Sequence, residues 1–110
     1  MGIITKLLVT IFGLLLISNF VPGIEIASLY SAFIVAVVLG VFNIIVKPIL
    51  VLLTLPINLL TLGLFTFVIN ALLFWFIASF VQGFSVDGFI PAFVGAAIIS
   101  LLSSIGNRVL

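Results

Sequence analysis

Residues 28–46 read SLYSAFIVAVVLGVFNIIV, a stretch without a single charged side chain. Its length is close to the roughly 20 apolar residues that a helix needs to cross the hydrocarbon core of a bilayer. The stretch does not alternate between polar and apolar residues, as a strand of a membrane β-barrel would. It therefore predicts a membrane-spanning α-helix, and other parts of the chain are of the same kind.

Three more apolar stretches have a similar length, and together the four predict an all-α integral membrane protein with one domain, residues 1–110. The chain is 66% hydrophobic and only 5% charged, which leaves too few polar groups to cover a water-exposed surface. Lipid must therefore be the solvent for most of the surface. The four expected spans are residues 3–20, 28–46, 63–81 and 88–107.

The charged residues divide by sign between the two ends of these spans. Four crossings place Lys6, Lys47 and Arg108 at one membrane face and Glu25 and Asp87 at the other. Cytoplasmic loops of membrane proteins are enriched in Lys and Arg. We therefore expect a multi-pass protein with both termini in the cytoplasm.

Residues 48–62 are as apolar as the spans but contain two expected helix breaks, Pro48 and Pro56. A helix of this length would be roughly 22 Å long, which is short of a full crossing. A fifth crossing would also separate Arg108 from Lys47, against the charge rule. The segment is expected to be either a Pro-kinked continuation of the second span or a re-entrant or interfacial segment that turns at Pro56.

The two halves of the chain resemble each other at a shift of about 60 positions. Phe20-Val21-x-Gly23 matches Phe80-Val81-x-Gly83, and small residues recur every four positions in the second and fourth spans. Such residues share a helix face and let helices approach closely in lipid. We expect two tandem helical hairpins about an approximate two-fold axis along the membrane normal, with the second and fourth spans packed together. The expected packing residues are Ala32, Ala36, Gly40, Ala92, Ala96 and Ser100.

The composition argues against catalysis. The sequence has no histidine and no cysteine, which excludes imidazole chemistry and Cys/His metal sites. The two carboxylates are interpreted as loop residues that set the topology, and no catalytic, cofactor or metal site is predicted. The net charge of +1, without a basic patch, predicts no nucleic-acid partner. The expected partners are membrane lipids and a homo-oligomer or larger membrane complex.

Polar side chains at membrane depth are the main candidates for function, because such groups are costly unless they find a partner. They are Asn43, Lys47, Asn58 and Asn70. One interpretation is a polar cluster at the cytoplasmic end that holds a lipid phosphate or lines a water path. The other is hydrogen bonding between helices, with the Lys47 side chain reaching out to the lipid headgroups.

Polar and proline positions recur at the centre of the chain in an otherwise apolar background. They lie in the motifs Asn43-x-x-x-Lys47-Pro48, Leu53-Thr54-Leu55-Pro56, Leu60-Thr61-Leu62-Gly63-Leu64-Phe65 and Ile69-Asn70-Ala71. These motifs resemble the signature of YvlD-like membrane proteins, which are grouped with the phage holin 4 superfamily. The resemblance covers nearly the whole chain and implies a protein of the bacterial cytoplasmic (inner) membrane. The holin grouping implies self-assembling membrane lesions.

Three functions are left open by the sequence. We favour a non-enzymatic structural or accessory role in the envelope or in a membrane assembly, because the chain has no catalytic constellation and its helix faces suit packing. The second is a holin-like oligomeric pore or small transporter. The third is an anionic-lipid-binding protein that uses Lys47.

Overall fold

The computed structural model of the protein describes residues 2–61 and 63–109, and these residues are mostly helical. Leu62, which ends the expected 48–62 segment, lies outside the described residues. The elements in chain order are α1 (Ile3–Phe20), β1 (Ile24–Ile26), α2 (Leu29–Ile44), α3 (Val46–Leu53), α4 (Leu55–Leu60), α5 (Leu64–Ala78), β2 (Phe84–Val86) and α6 (Phe89–Val109).

Two helices are by themselves long and apolar enough to cross a membrane: α1, with 18 residues, and α6, with 21. A third candidate is α2 together with α3, which are bent by 43° at the break between them. Helix α5 is apolar but has only 15 residues, or about 22 Å of helix. The structure therefore contains two clear candidate spans among the four expected, or up to three if the bent pair is one span.

Helices α1, α2, α5 and α6 pack side by side, with α2 and α6 on a diagonal. Helix α1 contacts both α2 and α6, and α5 contacts the same two helices. No Cα atom of α2 lies within 8 Å of one in α6, so the expected direct packing of the second and fourth spans is wrong. The small residues of α6 instead accommodate large side chains from its true neighbours. A Cβ added at Gly95 would lie 3.0 Å from the ring of Phe74 on α5.

The small residues of the expected stripes differ in their surroundings. Ala36, Ala92 and Ala96 are buried in the core that the four helices share, and Ala32 is fully buried. Gly40 is different, because a Cβ added there would have no heavy atom within 4 Å. The stripe on α2 is therefore a packing surface along part of its length and open at Gly40.

A short two-stranded sheet joins the loops that carry the acidic residues. Strands β1 and β2 are antiparallel, and Glu25 lies opposite Ser85. The all-α expectation is corrected by this sheet. The physical reason is local, since Ile24-Glu25-Ile26 and Phe84-Ser85-Val86 alternate apolar, polar and apolar residues as a half-buried strand does.

The sheet has the symmetry that the sequence repeat predicts. The N–H of Ala27 donates to the carbonyl of Gly83 at 2.7 Å, and the N–H of Asp87 donates to the carbonyl of Gly23 at 2.7 Å. At the repeat shift of about 60 positions, Gly23 corresponds to Gly83 and Ala27 corresponds to Asp87. The two bonds are therefore equivalent: in each, a residue of one half donates to the corresponding glycine of the other half. Gly23 and Gly83 also share a positive φ, 92° and 82°, which glycine adopts without steric cost. A local two-fold axis therefore passes between the two strands.

Two prolines explain the helix breaks at the end of the bundle opposite the sheet. Helix α2 ends at Ile44, four residues before Pro48, whose ring lacks an N–H and collides with the carbonyl of the residue four positions earlier. The second expected span is thus two residues shorter than its predicted end at residue 46. A second break falls at Thr54, just before Pro56. Helices α3 and α4 consequently form an arm, in which α3 continues from α2 beyond the 43° bend and contacts α5, and α4 also contacts α5.

Candidate functional site

A cavity of about 700 Å³ lies at the end of the bundle opposite the sheet. Its walls come from both halves of the chain and include the arm formed by α3 and α4. The polar residues that line it are Lys6 of α1, Asn43 of α2, Lys47 of α3, Asn70 of α5, and Ser100, Ser103 and Ser104 of α6.

Local structure explains how these side chains reach one space. Asn43 and Lys47 are four residues apart, on either side of the break at Ile45, so both can face the cavity even though the helix axis bends there. Ser100 and Ser104 are also four apart and therefore share a face of α6. Lys6 is exposed at the rim, whereas Asn43, Lys47 and Asn70 are half-buried.

The cavity lies where the two halves of the chain meet. At the repeat shift, Leu39 corresponds to Ile99 and Asn43 corresponds to Ser103, and all four residues line the cavity. Transporters built from repeats also place binding sites at the interface between the repeats. Two repeat-related pairs of residues thus line the cavity, but its two lysines both come from the first half.

The charge in the cavity is of one sign. Among the described lining residues there are two lysines and no carboxylate. Glu25, in β1, and Asp87, directly after β2, lie at the opposite end of the bundle. Lysine ammonium groups, asparagine amides and serine hydroxyls all supply hydrogen-bond donors. The set is suited to an oxyanion such as a phosphate, and it offers neither a carboxylate nor an imidazole for acid–base catalysis.

Asn58, the fourth member of the expected polar cluster, is not part of this cavity. It is 7% exposed, and its Nδ2 donates to Thr54 Oγ1 at 3.0 Å. Its Oδ1 accepts a hydrogen bond from Thr66 Oγ1 at 2.9 Å. The expectation of one four-membered cluster is thus corrected: the short helix α4 turns Asn58 toward α5, where it links the arm to the bundle.

Sequence reasoning missed four polar contributors to the cavity wall: Lys6, Ser100, Ser103 and Ser104. Lys6 was expected at the same membrane face as Lys47, and this shared face was the signal that could have placed both lysines at one site. Ser100 was expected to pack against α2, but it lines the cavity. Its polarity in an apolar helix was the available clue.

The other half of the bundle is closed by a dry core. Its largest fully buried side chains lie between the cavity and the sheet or beneath the sheet itself: Leu14, Ile17, Ile24, Val35, Phe74 and Ile77. Such close-packed apolar interiors leave few voids large enough for water. Within residues 2–61 and 63–109, these apolar side chains lie between the cavity and the sheet end of the bundle.

These features define a small helical membrane protein with an internal repeat and a basic cavity at one end. The chain matches the family described as "Mycobacterial 4 TMS phage holin, superfamily IV" over residues 1–105, and it belongs to that family.

The chain is similar in sequence to two curated proteins from bacteria. The chain is 38% identical over 97 residues to "Uncharacterized membrane protein YvlD" of Bacillus subtilis, covering 87% of this chain and 82% of that protein. It is 46% identical over 74 residues to "Uncharacterized protein SCO3922" of Streptomyces coelicolor, covering 64% of this chain and 59% of that one. The resemblance to YvlD-like proteins is thereby confirmed. No solved structure matches the chain.

Proposed function

We propose that this chain is a non-enzymatic accessory protein of the bacterial cytoplasmic membrane that binds a phosphate-type anion in its basic cavity. It crosses the membrane four times, with the cavity and both termini on the cytoplasmic side. The observation that carries the proposal is the convergence of Lys6, Lys47, Asn43 and Asn70 on one space whose described walls hold no carboxylate.

The proposed topology rests on three features. The family is described as having four membrane spans, and four helices of the chain run between the cavity end and the sheet end. Lys6, Lys47 and Arg108 belong to the cavity end, as the charge rule requires for a cytoplasmic face. The 15 residues of α5 are short for a bilayer, and local thinning of the lipid accommodates such a span at modest cost.

The proposed topology puts the cavity near the anionic phosphate groups of the cytoplasmic leaflet. The cytoplasmic leaflet carries a negative surface potential, and basic pockets between helices on that side bind lipid head groups in other membrane proteins. An accessory role follows from such binding, because an occupied cavity joins the two hairpins at the end where the sheet does not.

A pore is the alternative that the family description suggests. The fully buried Leu14, Val35 and Phe74 close the described part of one chain, so a pore would have to form between several chains. Release of dyes from liposomes that contain the protein would favour that alternative over anion binding alone.

The proposal is tested by thermal unfolding of the purified protein in detergent with increasing glycerol phosphate, a soluble phosphate monoester. A ligand that binds only the folded state raises its stability by about 2.7 kcal/mol at a hundred times its Kd. We expect the melting temperature to rise for the natural chain and the rise to be lost in the double variant Lys6→Gln/Lys47→Gln.

Arg108→Gln is the matched control, because Arg108 is an exposed cation of the last turn of α6 that does not line the cavity. This variant should keep the full rise. An equal rise in all three proteins, or none in the natural chain, would overturn the proposal.

A further inference from the structure

We propose that the bound anion is the phosphate of an anionic phospholipid that enters the cavity sideways, with one acyl chain lying in an apolar groove between α1 and α2. This inference rests on the proposed function of the cavity, and it identifies the ligand as a lipid rather than a soluble phosphate.

The groove is a second space of about 260 Å³ between α1 and α2. Its walls are largely aliphatic on both sides, and its floor is formed by α6. The apolar residues that line it include Ile3, Leu7, Val37, Val41 and Ile44.

The groove and the cavity share part of their walls. Lys6, Asn43 and Ser103 line both spaces, together with Leu39 and Ile99. A molecule with an apolar chain and an anionic head can therefore lie with the chain between α1 and α2 and the head beside Lys6. The change from aliphatic to basic lining along this route matches the change from acyl chain to phosphate along a phospholipid.

Gly40 keeps the groove open. A Cβ added at Gly40 would meet nothing within 4 Å, whereas one added at Gly13 would lie 2.9 Å from side-chain carbons of Ile99 and Leu102. Gly13 is thus required by close helix packing and Gly40 is not. A glycine inside a helix is less favourable than alanine by roughly 0.5–1 kcal/mol, and packing gives no reason for glycine at position 40. Its presence is better explained by the groove, because a larger side chain there would fill it.

The energetics explain why a lipid needs such a groove. Lipid tails are as apolar as leucine, so moving an acyl chain from the bilayer into the groove provides no hydrophobic driving force. The binding energy must come from the phosphate and its charged and amide donors. The groove allows the phosphate to reach Lys47 while the acyl chain stays in apolar surroundings. A soluble anion that enters from the cytoplasm has no acyl chain and does not need the groove.

The experiment compares two probes on four forms of the full chain: the natural chain, Gly40→Phe, Leu101→Phe and the double variant Lys6→Gln/Lys47→Gln. Native mass spectrometry measures retention of dioleoylphosphatidylglycerol, with zwitterionic dioleoylphosphatidylethanolamine as the competitor, and thermal unfolding measures binding of glycerol phosphate. The natural chain should retain the anionic lipid in preference to the zwitterionic one and should also bind glycerol phosphate.

Gly40→Phe fills the groove and leaves both lysines in the sequence. We expect it to lose phosphatidylglycerol binding by about tenfold or more, equivalent to about 1.4 kcal/mol, and to keep glycerol phosphate binding unchanged. Leu101→Phe is the matched control, since Leu101 is an exposed apolar residue of α6 outside both spaces, and it should bind both probes normally. Because glycerol phosphate reports only on the cavity, its retention in Gly40→Phe also shows that this variant is folded.

The outcomes separate the two proposals. If Gly40→Phe retains the lipid as the natural chain does, or if the natural chain does not prefer phosphatidylglycerol, the lipid route is wrong while the cavity proposal stands. If the natural chain binds neither probe, the proposed function fails first. Loss of both probes in Lys6→Gln/Lys47→Gln and loss of the lipid alone in Gly40→Phe is the result that supports both.

Discussion

Replacing Asn58 by alanine should weaken the fold and leave the cavity able to bind anions. The Asn58 side chain is nearly fully buried and makes two hydrogen bonds, one to Thr54 and one to Thr66. Hydrogen bonds between helices of membrane proteins average about 0.6 kcal/mol each and reach about 1.7 kcal/mol. Only the bond to Thr66 joins two helices, since Thr54 precedes α4 directly and its bond to Asn58 is local to the arm. The two bonds together give a loss of about 1–2 kcal/mol, and the hydroxyl of Thr66 also loses the acceptor it has in the native protein.

The assay is unfolding in mixed micelles of sodium dodecyl sulfate and a mild detergent, followed by circular dichroism. Glycerol phosphate binding is measured on the same proteins in the mild detergent alone. Asn70→Ala is the matched comparison, because Asn70 is also an asparagine of this region but lines the cavity. We expect Asn58→Ala to lower the free energy of unfolding without changing the affinity. Asn70→Ala should lower the affinity with a smaller effect on stability. The opposite result, in which Asn58→Ala lowers the affinity and Asn70→Ala has the larger effect on stability, would refute both assignments. Asn58 would then not link the arm to α5, and Asn70 would not act in the cavity.

Two further predictions concern packing and topology. Gly95→Ala should lower the free energy of unfolding by about 1–3 kcal/mol through overpacking, because its Cβ would lie 2.6 Å from Ile24 and close to the Phe74 ring, both fully buried. Gly40→Ala should be neutral or stabilising in the same unfolding assay. Equal effects of the two substitutions would contradict the structure. The sequence contains no cysteine, so a single introduced cysteine can report the orientation. A cysteine at Glu25 should react in intact cells with a membrane-impermeant maleimide, and one at Arg108 should react only after the cells are opened. Labelling of both positions from outside would disprove the proposed orientation.

The features that follow from local sequence were predictable. The first helix begins and ends at the expected residues, Ile3 and Phe20, because a long apolar run before Pro22 allows only one solution. The helix breaks before Pro48 and Pro56 follow from the geometry of the proline ring. Asn43, Lys47 and Asn70 were singled out because polar groups are rare at this depth, and the structure places all three at one cavity.

The features that depend on distant partners were not predictable. Small residues on α2 and α6 suggested direct contact, but which helices become neighbours depends on where large side chains such as Leu14 and Phe74 fit. Asn58 was grouped with the cavity because sequence position cannot show which way a short helix turns after two prolines. The sheet had a local signal of alternating residues, but three-residue strands are too short for that signal to stand out.

The paired bonds between Gly23 and Asp87 and between Gly83 and Ala27 also bear on how such a chain could arise by duplication. Two separate copies of one half could form the same sheet, since a two-fold contact between identical subunits exchanges identical bonds. A dimer of the first half, however, would place four lysines around the axis in place of two, because Lys6 and Lys47 would each occur twice. In the fused chain the positions that correspond to them are Thr66 and Asn107. Fusion therefore lets the two halves differ, so that two lysines line the cavity rather than four.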